Sequence, residues 1–95
     1  MAKGHWIGHI TVKNPDAYER YKAANAAAFA RFGGRFIVRG GRFQCLVGHA
    51  REHHVVIEFD SYDAALACYN SPEYREAQKL QTESSENDII VIEGV

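Results

Sequence analysis

The stretch from His53 to Arg75 constrains the fold more than any other part of the chain, because it combines a strand, a capped helix and a break in that helix. Residues 55–59 form a β-branched and aromatic run that only Glu58 interrupts, which predicts a buried strand carrying one charge. Ser61 follows as a helix cap. The helical spacing predicts a core-facing stripe of Tyr62, Ala65, Leu66 and Tyr69.

The run Asn70-Ser71-Pro72 then interrupts the helical pattern. Proline cannot donate the helical hydrogen bond and disfavours helical geometry in the residue before it, so Ser71 is predicted to cap a second helix that begins at Pro72. The break brings Tyr69, Asn70 and Tyr74 together around one kink. We therefore expect a cluster of polar side chains at this point.

Earlier in the chain, strand and helix signals alternate. His5–Val12 is predicted as the first strand, and because both of its faces are partly apolar, we expect it to be covered on both sides. Asn14-Pro15-Asp16 begins a helix that runs to about Phe32, and Gly33-Gly34 ends it. The inward stripe of this helix is predicted to contain Tyr18, Tyr21, Asn25, Ala28, Phe29 and Phe32.

The glycines in the middle of the chain allow two interpretations. Arg35–Arg39 is predicted as a strand, and Gly40-Gly41 permits either a tight hairpin or a bend before a further strand segment at Arg42–Val47. We favour the bend, since the turn signal at residues 48–52 is better placed to reverse the chain into the strand His53–Phe59.

The last part of the chain completes a β-α-β-β-α-β order, with a polar loop at Thr82–Asn87 and a final strand at Ile89–Ile92. This order is the split βαβ, ferredoxin-like pattern. It predicts an α+β fold in which both helices cover one face of a four-stranded antiparallel sheet. The other face would remain partly apolar, and two such faces closing on each other would form a dimeric α+β barrel.

The composition predicts one domain, residues 1–95, and restricts its partners. A chain of 95 residues can bury a core, and a second copy would help it bury more surface. The net charge of −1 offers no basic field for nucleic acid, and no apolar run approaches the length of a membrane span. The start of the chain lacks a signal-peptide core, so we expect a cytoplasmic protein. Cys45 and Cys68 are predicted to be buried free thiols.

Five motifs are spread over nearly the whole chain: Gly4-His5-Trp6-Ile7, Gly33-Gly34-Arg35-Phe36, Val38-Arg39-Gly40-Gly41, Val55-Val56-Ile57-Glu58-Phe59 and Tyr69-Asn70-Ser71-Pro72-Glu73-Tyr74. Together they resemble the bacterial family of unknown function DUF1330, which lies within the dimeric α+β-barrel superfamily. The resemblance implies a ferredoxin-like subunit paired into a barrel. That superfamily includes cofactor-free oxygenases, haem-degrading enzymes and small-molecule isomerases, but the resemblance implies no established activity, so the site has to be argued from residues.

Arg39 and Glu58 each interrupt an apolar strand, where an isolated charge is costly unless it is paired or solvated in a pocket. We hypothesise that both line a cavity between sheet and helices, where Arg39 holds a carboxylate or enolate oxygen. The alternative is a structural ion pair or a sheet edge that faces water. Arg35 and Arg39 are four apart on a strand and are expected to share a face, so they could clamp an acidic ligand.

The helix break supplies further candidates for substrate binding. Tyr69, Asn70 and Tyr74 offer hydroxyl and amide groups, and Ser71 begins the next helix with free backbone N–H groups suited to an anion. The alternative is that Ser71 and Pro72 only cap a helix while the two tyrosines pack in the core.

The histidines do not form a metal motif. His5 and His9 are separated by roughly 13 Å along their strand at ~3.3 Å per residue, and His53 and His54 point to opposite faces. No carboxylate or cysteine completes a ligand set, so we predict no metal site and no cofactor. His9 could serve as a general base if it faced a cavity, although a hydrogen-bonded interface histidine is the simpler interpretation.

Two functions remain open. The first is a small-molecule enzyme, of cofactor-free oxygenase or isomerase type, acting on an organic acid or enolisable compound. Arg39 would orient the substrate, and Glu58 or His9 would move a proton. Tyr69 and Asn70 would bind oxygen atoms of the substrate. The second is a non-catalytic ligand-binding or dimeric assembly module, and a pocket of about 300 Å³ or more with converging polar groups would favour the first.

Overall fold

The structure is a computed structural model that describes residues 2–95. Within these residues the elements follow the order β-α-β-β-α-α-β, which confirms the expected ferredoxin-like α+β fold, with its second helix split in two. The elements are β1 (Gly4–Val12), α1 (Pro15–Arg31), β2 (Arg35–Arg39), β3 (His53–Phe59), α2 (Tyr62–Tyr69), α3 (Pro72–Ser84) and β4 (Ser85–Glu93). None of the described helices is both long and apolar enough to cross a membrane.

The strands form one antiparallel sheet in the order β2-β3-β1-β4, and the molecule is a slab of 35 × 33 × 17 Å. The inner face of the sheet packs against the helices and carries the buried residues Trp6, Ile10, Val55, Ile57 and Phe59. The outer face carries the alternate residues of the same strands. These include His5, Ile7, His9, His54, Val56, Glu58, Ile90 and Ile92.

Helix α1 begins and ends where the sequence predicts. The Asn14 side chain accepts a hydrogen bond from the Ala17 N–H at 3.1 Å. Gly33 follows the helix with a φ of 72°, a conformation that glycine adopts without strain. The buried residues of α1 are Ala17, Tyr18, Tyr21, Asn25, Ala28 and Phe29, which confirms the inward stripe except for the half-buried Phe32.

The break between α2 and α3 is confirmed, but the buried side of α2 differs from the prediction. Ala65 and Cys68 are fully buried, whereas Tyr62 is 37% exposed. The reason is that α2 lies close to the start of β1, where a Cβ on Gly4 would stand 2.3 Å from the Ser61 carbonyl oxygen. Small side chains therefore face the sheet, and the larger ones lie at the margin.

Strand β2 contains a β-bulge that decides which of its side chains reach the inner face. Phe36 and Val38 pair with consecutive residues of β3, which leaves Ile37 as an extra residue. Beyond Ile37 the alternation shifts by one residue, so Arg39 lies on the inner face whereas Arg35 lies on the outer face. The expectation that these two arginines share a face is wrong.

The segment Arg42–Val47 is not a strand, so the expected long bent strand is wrong as well. The Gly40 N–H donates to the His54 carbonyl at 2.8 Å, and beyond this bond the chain has passed the end of β3 and has no strand to pair with. The segment is an exposed loop in which Leu46 is 82% exposed. Cys45 belongs to this loop and is exposed rather than buried, while Cys68 is buried as predicted.

The segment Thr82–Asn87 is not a loop, because α3 runs to Ser84 and β4 begins at Ser85. The hydroxyls of both serines donate to the Gln81 carbonyl at 3.1 Å. These bonds satisfy the end of the helix while the backbone turns directly into the strand. The polar residues here thus complete a helix end.

Candidate functional site

A cavity of about 660 Å³ lies between α1 and the inner face of the sheet. Its apolar walls include Trp6, Ile10, Phe29, Phe36, Val55 and Ile57. Exposed residues such as Lys22 and Arg39 form part of its lining, so the space opens to solvent. Its volume and its mixed lining are typical of a small-molecule site.

The space exists because small residues line the cavity on both sides. Gly8 lies at the middle of β1, and Ala23 and Ala26 of α1 also line the cavity. A Cβ on Gly8 would stand 3.1 Å from the Val55 Cγ2 atom, so a larger side chain there would enter the cavity and press on its wall. The small side chains at these positions therefore leave the space that forms the cavity.

The rim of the cavity carries positive charge. Lys22 and Arg39 are exposed residues that line it, and the Arg39 Cζ atom stands 3.7 Å from the centroid of the Phe36 ring. This cation–π contact fixes the guanidinium at the wall. Lys22 pairs with Glu19 at 2.9 Å, whereas Arg39 forms no ion pair within residues 2–95. Arg39 is thus the cation available to a ligand.

His53 and Tyr18 meet at the same rim, with ring centroids 6.1 Å apart and ring planes at 90°. Burial and the Lys22 ammonium group lower the pKa of His53, so its imidazole is neutral near pH 7 and can accept a proton. Burial raises the pKa of Tyr18 to about 12, so its phenol keeps its proton. The rim therefore places a base and a hydrogen-bond donor side by side.

A hydrogen-bonded network forms the deep end of the cavity. The Tyr21 and Tyr74 hydroxyls are 2.9 Å apart, and the Gln81 side-chain amide donates to the Tyr21 oxygen at 3.2 Å. Burial raises the pKa of both tyrosines, so the network contains no charge. Asn25, which is buried on α1, lines the cavity beside this network.

A second cavity of about 380 Å³ lies on the α3 side of the first. The two cavities share Gln81, Asn87 and Ile89 as lining residues. Tyr69 and Gln78 line only the smaller one. Asn87 thus lies between the two cavities.

The expectation that Arg39 and Glu58 line the same cavity is wrong for Glu58. Glu58 lies on the outer face, where it accepts a hydrogen bond from Arg35 and stands 3.5 Å from the His5 Nε2 atom. The hydrogen bond from Arg35 holds the pKa of Glu58 below its usual range. The bulge at Ile37 is the physical reason, because it turns only Arg39 towards the helices. Arg39 therefore lines the cavity as expected, whereas Glu58 does not.

Ser71 and Tyr74 lie where the alternative interpretation puts them. The Ser71 hydroxyl accepts from the Tyr74 N–H at 3.1 Å and donates to the Cys68 carbonyl at 2.7 Å, which is capping geometry. Tyr74 is fully buried behind the cavity lining, where its hydroxyl is 2.9 Å from the Tyr21 hydroxyl and its ring packs against Trp6. A binding role for either residue stays a prediction without a contact to the main cavity.

Tyr69 and Asn70 do not line the main cavity either. The Tyr69 hydroxyl accepts from the Gln78 amide at 3.0 Å, and Asn70 is exposed and accepts from the Arg75 guanidinium at 3.1 Å. Tyr69 borders the smaller cavity. The sequence thus identified a real helix break, but the main cavity lies beside α1 rather than at this break.

His9 lies on the outer face, and its Nδ1 atom is 2.8 Å from the Nδ1 atom of His54. It does not face the cavity, which was the condition for its role as a general base, so that role stays a prediction without a contact to the cavity. Among residues 2–95, no three His, Cys, Asp or Glu side chains come close enough to hold a metal ion.

Tyr18, Tyr21, Asn25 and His53 are the site residues that sequence reasoning missed. Three of them belong to the inward stripe of α1 and read as core residues. A signal was present, because two phenols and an amide on a core-facing stripe carry polar atoms that need partners or a wet cavity. His53 shares the inward register of Val55, which its position in β3 already implies.

Comparison with known structures shows the same fold in other proteins. The chain matches a protein of unknown function from Rhodopseudomonas palustris with 22% identity and a TM-score of 0.77, over 99% of this chain and 83% of the other. It matches SnoaB, a cofactor-independent oxygenase from Streptomyces nogalater, with 18% identity and a TM-score of 0.63, over 97% and 92% of the two chains. It also matches a dimeric ferredoxin-like protein of unknown function from Bacteroides fragilis with 17% identity and a TM-score of 0.63, over 96% and 95%.

Comparison of the sequence with protein families gives a match that covers nearly the whole chain. Residues 3–95 match the family described as "Domain of unknown function (DUF1330)". No curated protein matches the chain. The function therefore has to be argued from the cavity itself.

Proposed function

This chain belongs to the DUF1330 family, whose function is unknown, and we propose from its cavity that it is an enzyme that moves a proton on an enolisable organic acid. The observation that carries the proposal is the cavity of about 660 Å³ that Arg39, His53 and Tyr18 line. The cavity combines an unpaired cation, a neutral imidazole and a protonated phenol with aromatic walls, and each group has a part in enolisation chemistry.

Arg39 binds the carboxylate of the substrate. A guanidinium forms charge-assisted, bidentate hydrogen bonds with a carboxylate, and the Phe36 ring beneath it limits its motion. The substrate's apolar part then lies among the aromatic walls. This binding fixes the substrate so that its acidic C–H bond is presented to the base.

His53 removes the proton from the carbon next to the substrate carbonyl. The electron pair of that C–H bond moves to the carbonyl oxygen, and the Tyr18 hydroxyl donates a hydrogen bond to the enolate oxygen that forms. The lowered pKa of His53 keeps the base unprotonated at neutral pH. Return of the proton to another atom completes an isomerisation, and these steps need no cofactor.

A second outcome starts from the same enolate. SnoaB, which shares the fold, is described as a cofactor-independent oxygenase. In such a reaction dioxygen is the oxidant, and its oxygen enters the product. Isomerisation and oxygenation share the proton-removal step and differ in oxygen consumption, which an oxygen electrode measures.

The test uses phenylpyruvate, a carboxylate with an enolisable methylene and an aromatic ring. We expect the protein to accelerate exchange of the methylene protons with deuterium oxide, followed by NMR, and we expect His53→Gln to lose about 10²-fold or more of that rate. Arg39→Ala should weaken binding, while Arg35→Ala on the outer face is the matched control and should not. Binding without exchange would favour the non-catalytic ligand-binding function, and no binding would refute the proposal.

We also propose that two copies pair through their outer faces. The paired residues Val38, Val56, Ile7 and Ile90 form an apolar row that crosses all the strands on this face. An uncovered apolar row of this kind favours association. Neighbours of the same fold from Bacteroides fragilis and Thermobifida fusca are described as dimeric, which supports the pairing.

A further inference from the structure

Two histidines on the outer face of the sheet point ring nitrogens at each other. His9 and His54 lie directly opposite in the register of β1 and β3, and their Nδ1 atoms are 2.8 Å apart. The sequence separates them by 45 positions, so only the pairing of the two strands reveals the pair. Neither ring lines the cavity, and the proposed enolisation uses neither of them.

The distance between the two nitrogens is close to the one that a shared metal ion requires. A zinc ion with two imidazole ligands at ~2.0–2.1 Å in tetrahedral geometry holds the two nitrogens about 3.3 Å apart. The two Nδ1 atoms therefore need to separate by only about 0.5 Å to admit an ion between them. Neighbouring strands hold both side chains, so a chelating pair is preorganised on a rigid element.

The surroundings hold one ring and leave the other accessible. The Phe43 ring covers His54, with ring centroids 4.5 Å apart, whereas His9 is exposed. When both Nδ1 atoms bind an ion, each ring carries its proton on Nε2. The buried His54 Nε2 atom has no hydrogen-bond partner within residues 2–95 in either tautomer, so a proton there adds little to the cost of binding.

The charged neighbours of the pair are occupied with each other. Asp88 lies opposite His9 on β4, but its carboxylate accepts a hydrogen bond from the Arg51 Nε atom at 2.8 Å. Arg51 also donates to the Thr11 hydroxyl at 2.9 Å, which holds the guanidinium in place. Within residues 2–95 the two imidazoles are therefore the only ligands that the chain offers here, and water completes the coordination.

We propose that His9 and His54 form a binding site for a divalent transition-metal ion of the copper and zinc class. Imidazole nitrogen is a preferred ligand of both ions, and Cu²⁺ binds nitrogen ligands more tightly than Zn²⁺. Ca²⁺ and Mg²⁺ prefer oxygen ligands and do not suit the pair. The site lies on the opposite face of the sheet from the cavity, so it does not depend on the proposed enzymatic activity.

Titration with Cu²⁺ tests the site. Every protein in the comparison lacks an affinity tag and carries Cys45→Ser, because the exposed Cys45 thiol would also bind the ion. We expect calorimetry to show one equivalent of Cu²⁺ bound per chain, and electron paramagnetic resonance to show splitting from two nitrogen atoms. An excess of Zn²⁺ should displace the copper, and an equal excess of Mg²⁺ should not.

Two variants and a matched control locate the ion. His9→Gln and His54→Gln should each weaken Cu²⁺ binding about tenfold or more and leave splitting from one nitrogen at most. His49→Gln, at an exposed loop histidine, is the control and should bind like the parent protein. His9 is exposed, so its replacement should leave the thermal midpoint without metal nearly unchanged, and it decides the test if His54→Gln folds poorly.

Three results would overturn the inference. The first is a parent protein that shows no saturable binding of Cu²⁺. The second is binding of equal strength in His9→Gln and the parent protein, because the ion would then lie elsewhere. The third is a loss in His49→Gln as large as the loss in His9→Gln. None of these results bears on proton exchange in phenylpyruvate, which tests the proposed function separately.

Discussion

His53 affects both the stability of the protein and the proposed chemistry. Its ring lies at the cavity rim, where burial and the Lys22 ammonium group lower its pKa from the ordinary value of 6.5. The folded protein therefore binds a proton at His53 less readily than the unfolded chain does. The lowered pKa keeps the imidazole unprotonated at neutral pH, where it can accept a proton. It also makes the folded state less stable in acid.

We expect the free energy of unfolding to fall as the pH decreases from about 6.5 towards 4.5, and to fall less in His53→Gln. The sign follows because protons favour the unfolded chain, in which His53 titrates at its ordinary pKa. Glu58 and Glu73, whose pKa values are lowered from 4.5, act mainly at the acid end of this window and are common to both proteins. Urea denaturation at several pH values measures the difference, and equal pH dependence in the two proteins would contradict it.

Among the elements, the break between α2 and α3 is the one that a single side chain controls. Ser71 satisfies the first turn of α3 through the Tyr74 N–H and also binds the Cys68 carbonyl at the end of α2. It is 4% exposed, so water cannot replace these bonds. The serine thus joins two helices that the proline would otherwise leave as separate segments.

We expect Ser71→Ala to lower the free energy of unfolding by about 1–2 kcal/mol, since a cap and a buried hydrogen bond disappear together. Ser61→Ala is the matched control, because Ser61 caps α2 through one bond, to the Ala64 N–H, and should cost less. Guanidinium denaturation of the three proteins provides the comparison. Equal losses in the two variants would show that the bond to Cys68 contributes nothing.

The sequence predicted the positions of the helices and strands better than it predicted which strand side chains face the helices. Caps and glycines mark the ends of α1, and alternation marks β1 and β3, so the ferredoxin-like order could be read directly. The bulge in β2 could not, because Phe36, Ile37 and Val38 are all apolar and alternation carries no signal there. The position of Arg39 depends on pairing with β3, which is a tertiary property, and so the cavity chemistry was only half predictable.

At the scale of the whole molecule, the uncovered outer face is the main feature. Helices cover the inner face only, and Val38 and Ile90 at the ends of the apolar row are 42% and 53% exposed. Polar pairs such as His9 with His54 lie beside this row. An apolar centre with polar flanks is the usual anatomy of a protein interface.

We expect Ile7→Lys, at the middle of the apolar row, to convert a dimer into a monomer of 10.7 kDa, because a charge there would be buried without a partner. Light scattering coupled to size-exclusion chromatography measures the mass. Leu46→Lys, at an exposed loop position, is the control and should leave the mass unchanged. A wild-type protein that is already monomeric at micromolar concentration would refute pairing through this face.

The extra residue Ile37 also bears on how this strand can diverge. Deleting Ile37 would remove the bulge and leave Val38 opposite Val56 and Arg39 opposite Val55, so Arg39 would still face the helices. One codon lost would therefore keep the cation at the cavity while shortening the spacing between Arg35 and Arg39 from four residues to three. In a related chain without the bulge, an arginine three residues after the position of Arg35 is thus the equivalent of Arg39, and an ungapped alignment would not show it.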